Sequence, residues 1–365
     1  MLMEIKQGDG FTLLRPRTNI LKIKPASVDS KWKFKDYLGA FLVRVSSYRN
    51  NYTTPTGLFK IGNPDKTSQV VVSANYKLSF DILRKSLAGL DLWILVLDTK
   101  GVNVWCAAGK GTFGTRELIK KIQESNLELF IEHKHLILPQ LAGPGVNAHE
   151  VKKVTGFKVF YGPVEARDIP EYLKAKKVAT PQMRKIEFSA WNRLVLTPME
   201  FIPLFKYLVY YIIFIAFLFG LKAEGIIFKD IILYGYPYIL SGFMALVSGS
   251  ILTPVLLPII PSRYFFIKGW IMGFIVQISL LASFQNKNQE LYFYSGNFEN
   301  LPFLILSFIL FPLFSSFAAL QFTGSTTFTN MTGVYKEHKY AIPLYKSGAA
   351  ISFILIVLHK LLLWR

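Results

Sequence analysis

The chain has 365 residues, 52% of them apolar, and a formal net charge of +19. With a mean hydropathy of +0.33, these values exclude a fully soluble protein, a disordered chain and a disulfide-rich scaffold. Residues 1–200 hold 31 Lys/Arg against 18 Asp/Glu, and residues 201–365 only 11 against 5, so a basic soluble domain precedes a polytopic membrane domain.

Residues 1–36 are basic and weakly periodic, an irregular arm without the apolar core or cleavage site of a signal peptide. Residues 37–180 alternate buried-type strands with amphipathic helices. Strands are predicted at Gln69–Ala74, Leu92–Leu97, His135–Leu138 and Phe157–Tyr161. Helices are predicted at Leu78–Leu87, Arg116–Glu124, His149–Val154 and Ile169–Lys176. That alternation implies an α/β domain with a mostly parallel sheet covered on both faces. Residues 181–201 form a linker in which Phe188, Trp191, Leu194 and Val195 share one helical side, the pattern of an interfacial helix.

Residues 202–365 read as an all-α domain of five spans, at about 203–221, 236–257, 267–284, 301–322 and 343–363. Lys174, Lys176, Lys177, Arg184, Lys185 and Arg193 precede the first span, which places the soluble domain on the cytoplasmic side of the inner membrane. No span centre carries Asp, Glu, Lys or Arg, so an anchor and docking platform is favoured over a pump. The hydroxyl-rich Thr323–Thr332 joins the last two spans as a polar loop that could face the soluble domain.

In an open α/β sheet, ligands bind beyond the carboxyl ends of the strands. Those ends are Asn75–Tyr76, Asp98–Lys110 and Pro139–Gly145, all small, polar or glycine-bearing, and among them Asn75, Thr99, Gly143 and Gly145 are candidate cofactor contacts. The Gly109-Lys110 pair is not a phosphate loop, because GxxxxGK(S/T) needs glycine where Val104 stands and Ser or Thr where Gly111 stands. Asn103 is a good N-cap, so Val104–Ala108 forms a short helix with Cys106 in its first turn. The helix dipole and nearby Lys110 favour negative charge on that sulfur, and small Ala107, Ala108 and Gly109 let a flat ligand approach. A buried inert cysteine is the alternative these residues leave open. Cys106 is the only cysteine, so neither an internal disulfide nor an iron–sulfur cluster is expected, and the five histidines form no zinc motif.

The string Asn103-Val-Trp-Cys-Ala-Ala-Gly-Lys110 resembles, at every position, the cap-helix motif of the corrinoid protein of microbial mercury methylation, the HgcA family. Pro55–Gly62, Ser73–Asp81, Trp191–Pro198 and Phe322–Lys336 also look like features of that family, so the resemblance covers most of the chain beyond the arm. It implies a Rossmann-like corrinoid-binding domain holding cobalamin, with Cys106 as the lower axial ligand of cobalt. Asn103 and Lys110 would orient the sulfur, Trp105 would wall the pocket, and Val104, Ala107, Ala108, Gly109, Gly111 and Thr112 would complete the contact. The Asp-x-His-x-x-Gly pattern of histidine-ligated corrinoid enzymes is absent.

The implied reaction passes methyl from methyl-cobalt(III) to Hg(II), with electron density pushed from the soft thiolate. The implied partners are a ferredoxin with two 4Fe-4S clusters, a methyl-donor protein or methyltetrahydrofolate-dependent methyltransferase, and membrane lipid. The positive charge suits an acidic ferredoxin or anionic headgroups, and no nucleic-acid motif accompanies it. A corrinoid methyltransferase with another acceptor and a membrane-anchored nucleotide-sensing scaffold are the rival readings.

Overall fold

In the computed structural model, which describes residues 24–222, 225–226, 228–286 and 301–363, six strands form one sheet in the order β1-β2-β4-β3-β5-β6. The strands are β1 (Ala26–Val28), β2 (Gly57–Ile61), β3 (Val70–Ala74), β4 (Leu92–Leu97), β5 (His135–Leu138) and β6 (Lys158–Tyr161). Every residue of β3 and β4 is buried, as expected of central strands covered on both sides. Alternate residues feed two cores. Val70, Val72, Leu95 and Leu97 face one, and Val71, Ile94 and Val96 face the other.

One expectation for this domain needs correction. The stretch 1–36 is not wholly an irregular arm, because β1 pairs in parallel with β2 and a helix, α1, runs over Phe34–Val45; residues 1–23 of that stretch lie outside the described residues. The sheet is mostly parallel, as the alternation implies, with one exception: β2 runs antiparallel to β4 with Gly57 opposite Val96. The other pairings among the central strands, β3–β4, β3–β5 and β5–β6, are parallel.

Helix α2 (Lys77–Ser86) sends Phe80 and Leu83 to one core, whereas α4 (Thr115–Glu124) and α5 (Ala148–Thr155) send Leu118, Ile122 and Val151 to the other. Strand β3 thus feeds a helix on one face while its neighbours β4 and β5 feed helices on the opposite face. That divergence opens a crevice at the carboxyl end of β3. Helix α6 (Ile169–Lys174) closes the α2 face through Ile169 and Tyr172. A buried ionic cluster fixes the start of α2: Asp81 accepts from Lys77 at 2.6 Å and Arg84 at 2.8 Å, and Asp36 pairs with both cations at 3.0 and 2.8 Å.

The chain divides into two compact units, residues 1–36 with 52–185, and residues 37–51 with 186–365. Among its described residues the second contains five helices long and apolar enough to cross a membrane: Pro198–Gly220, Ile231–Val255, Phe265–Ser283, Leu301–Ser325 and Met331–Leu362. Leu221–Lys222 and Gly225–Ile226 pair antiparallel after the first, so the region is not purely helical. The fourth is central. Ser315 donates to Gly269 O at 2.6 Å and accepts from Ser248 at 2.7 Å, and a Cβ at Gly249 would stand 2.1 Å from Ser315 O. Small residues and hydroxyl bonds hold apolar helices together where water cannot drive association.

The fifth helix begins at Met331, not near 343, and takes in the end of the polar Thr323–Thr332 segment. A further helix, α7 (Ala190–Leu196), is capped by Ser189. The single apolar side predicted for this linker divides: Trp191 and Leu194 are exposed, whereas Phe188 packs inward against Phe322.

Candidate functional site

The loop after β4 is built around one amide. Asn75, at the end of β3, is buried, and its Oδ1 accepts from Thr99 N at 3.0 Å, Thr99 Oγ1 at 2.9 Å and Gly101 N at 3.0 Å. Its Nδ2 donates to Asp98 at 3.3 Å. Thr99 is fully buried. The hydrogen bond from Lys100 holds the Asp98 carboxyl below its ordinary range, and the same pair raises Lys100. Lys100 and Gly101 both take left-handed backbone angles, φ 58° and 70°, and this turn aims the chain back across the strand ends.

Helix α3 follows over Val104–Lys110. Asn103 caps it as the sequence predicts: its side chain accepts from Cys106 N at 2.9 Å, satisfying one of the orphan donors of the first turn. Gly111, at φ 77°, ends the helix in the left-handed conformation. Ala107 and Ala108 are buried on the underside, while Trp105, Cys106, Gly109 and Lys110 are exposed. The outer face of the helix therefore combines an indole, a thiol, a bare backbone and an ammonium group.

The two neighbouring glycines differ in kind. A Cβ at Gly145 would meet Phe113 O at 2.3 Å and Ala108 Cα at 3.0 Å, so this glycine lets the loop after β5 pack on α3. At Gly109 nothing lies within 4 Å of an added Cβ.

The candidate residues thus fall into groups. Asn103, Trp105, Cys106, Gly109 and Lys110 come together at the surface, with Val104 half-buried beside them. Asn75 and Thr99 lie beneath the loop and position it. Ala107 and Ala108 face the core, Thr112 donates to Ala107 O at 3.4 Å, and Gly143 is exposed at the end of a short 3-10 turn.

A cleft of about 310 Å³ opens at the crevice predicted by the topology, and Asn103, Val104 and Trp105 form one wall. Cys106 is not among its lining residues; it stands on the adjoining exposed helix face. The opposite walls come from Ser79 and Ile82 of α2 and from Pro163–Ala166 after β6. The sequence reading omitted these. The end of β6 was available as a fourth strand end, and α2 begins directly after the predicted Asn75–Tyr76 segment. Among the described residues, no three His, Cys, Asp or Glu side chains gather as a metal-binding group.

The protein family described as "CO dehydrogenase/acetyl-CoA synthase delta subunit" matches residues 46–173, a stretch that includes β2 to β6 and the Cys106 helix. The α/β unit is similar to part of a subunit of acetyl-CoA decarbonylase/synthase. The gamma subunit of that complex from Methanopyrus kandleri is 35% identical over 121 residues, covering 32% of this chain and 26% of the relative. Its counterpart from Methanothermobacter thermautotrophicus is 30% identical over 119 residues, with 32% and 26% covered. That from Archaeoglobus fulgidus is 29% identical over 134 residues, with 34% and 28% covered. The chain spans about a quarter of the length of these curated relatives.

Proposed function

We propose that this protein is a membrane-bound, corrinoid-dependent methyltransferase that passes a methyl group to inorganic Hg(II), with Cys106 as the protein ligand to cobalt. The observation that carries the reading is the exposed Cys106 in the capped first turn of α3, at the carboxyl end of β4. The donor chemistry suits a corrinoid. A sulfur that belongs to no group of three His, Cys, Asp or Glu side chains among the described residues does not complete a coordination sphere with them, but it suits a metal that arrives inside its own macrocycle. The open space above Gly109 suits a flat ring lying on that helix face. Similarity to the acetyl-CoA decarbonylase/synthase gamma subunits supports the α/β unit as the cofactor-bearing part.

When bound, the corrinoid supplies a cobalt centre able to carry a methyl group. Cys106 would hold it through a soft, strongly donating sulfur, which favours release of methyl with its bonding electrons, as the electrophile Hg(II) requires. Asn103 fixes the backbone of Cys106, Trp105, which lines the adjoining cleft, would border the ring, and Lys110 would offset negative charge on the same face. The reading calls for a low-potential electron donor, a ferredoxin with two 4Fe-4S clusters, and for a methyl-donor protein. It places the α/β unit on the cytoplasmic side of the inner membrane.

The full-length protein purified from cells supplied with cobalamin should carry a corrinoid absorption spectrum, and Cys106→Ala should abolish methylmercury formation in cells containing the partner. Cys106→His should retain the corrinoid yet transfer methyl poorly to Hg(II). Wild-type activity in Cys106→Ala would defeat the thiolate mechanism. The named relatives favour a second reading, corrinoid methyl transfer to a different acceptor. That reading gains if the corrinoid is bound and Hg(II) is never methylated.

A further inference from the structure

Helix α1 is apolar on the side turned to solvent. Phe34, Tyr37, Leu38 and Phe41 recur at helical spacing and are 79%, 52%, 44% and 60% exposed, and half-buried Val45 continues the row. The buried positions Gly39, Ala40 and Val43 occupy the opposite side. A helix on the surface of a soluble domain shows the reverse, with polar side chains outward. Lys35 and Arg44 flank the apolar row, one on each side.

Position decides what covers it. Residues 37–51 belong to the same compact unit as the five apolar helices. After α1 the chain makes a short turn over Ser47–Asn50, where Arg49 Nη1 lies 3.4 Å from Met199 Sδ. Met199 is the second residue of the first apolar helix, Pro198–Gly220. The turn after α1 therefore lies beside the first residues of a helix long and apolar enough to cross a membrane. Exposed Tyr48 adds an aromatic residue of the type that accumulates there.

We propose that α1 is an interfacial helix whose Tyr37–Leu38–Phe41–Val45 face lies in the headgroup layer of a lipid bilayer, with exposed Lys35 reaching toward anionic phosphates. The inference rests on the membrane-spanning reading of residues 198–362 and is independent of the chemistry at Cys106.

Full-length Cys106→Ser protein, reconstituted in phosphatidylcholine/phosphatidylglycerol vesicles, tests it with a nitroxide on Phe41→Cys and a reference nitroxide on Lys120→Cys of α4. The label at position 41 should be several-fold more accessible to lipid-soluble oxygen than to a water-soluble nickel chelate, with the opposite ranking at position 120. Equal access of the nickel chelate to both labels would overturn the proposal. So would shielding of position 41 from both reagents, because a protein surface would then cover the helix. Both replaced side chains are exposed, and a circular dichroism spectrum matching wild type verifies folding before the labels are read.

Discussion

Asn75→Ala is the substitution that most directly tests how the sheet presents Cys106. It removes the acceptor of three hydrogen bonds and leaves two backbone donors, Thr99 N and Gly101 N, without their partner. Thr99 is fully buried, so its N–H bears a desolvation cost of about 1–3 kcal/mol. Gly101 is half-buried and can recover part of its loss to water, which adds about 1 kcal/mol. The Thr99 hydroxyl still has Val102 O at 2.6 Å and adds little. The loop should lose about 2–4 kcal/mol, equivalent to roughly 30- to 700-fold faster amide exchange at Thr99 and Gly101. Hydrogen exchange on the full-length protein in detergent or nanodiscs reads this directly. Asn75→Asp keeps the acceptor but sets a second carboxylate beside Asp98, 3.3 Å from the present amide nitrogen. Its defect should lessen as pH falls through the carboxylate range, whereas that of Asn75→Ala should not. Wild-type exchange at Thr99 in Asn75→Ala would refute the positioning role.

The two glycines give a contrasting pair. Gly145→Ala should destabilise the α/β unit by about 1–3 kcal/mol through overpacking against Phe113 and Ala108, measured by urea unfolding. Gly109→Ala should leave folding intact or strengthen α3 by up to about 1 kcal/mol, yet weaken corrinoid retention, measured by absorbance after gel filtration. Acid stability has a further signature. Burial raises the Asp36 carboxyl, but the Lys33 N–H, Arg84 and Lys77 more than reverse this and hold it at about 2, from an ordinary 3.8. Because the folded value is depressed, its contribution is complete above about pH 4 and is lost as pH falls toward 2. After discounting for solvent screening it is worth about 1–2 kcal/mol. Asp36→Asn should flatten the stability profile across that window in acid titrations followed by circular dichroism.

The central strands were legible because Leu92–Leu97 is a continuous apolar run and Val70–Ala74 one broken only by Ser73, the pattern of a doubly covered sheet. The Cys106 helix was legible from Asn103, whose capping role is a local property. Strands β1 and β2 were missed because Ala26–Val28 is only three residues long, and nothing in Gly57–Ile61 encodes an antiparallel neighbour. Helix α1 escaped because apolar residues occupy both of its sides, which erases the amphipathic period. The fifth apolar helix was cut short because Lys336, Glu337, His338 and Lys339 interrupt its hydropathy without interrupting its backbone. At the site, position at a strand end picked out Asn75 and Thr99, but it could not tell a side chain lying beneath the loop from one reaching above it.

Cys106 is the only sulfhydryl in the chain, and it stands in the open. Maleimides and alkylating agents therefore address a single atom on one helix of the native protein, without mutagenesis. The rate of that reaction becomes a footprint of whatever rests on α3, slowing when the face is occupied and recovering when it is cleared.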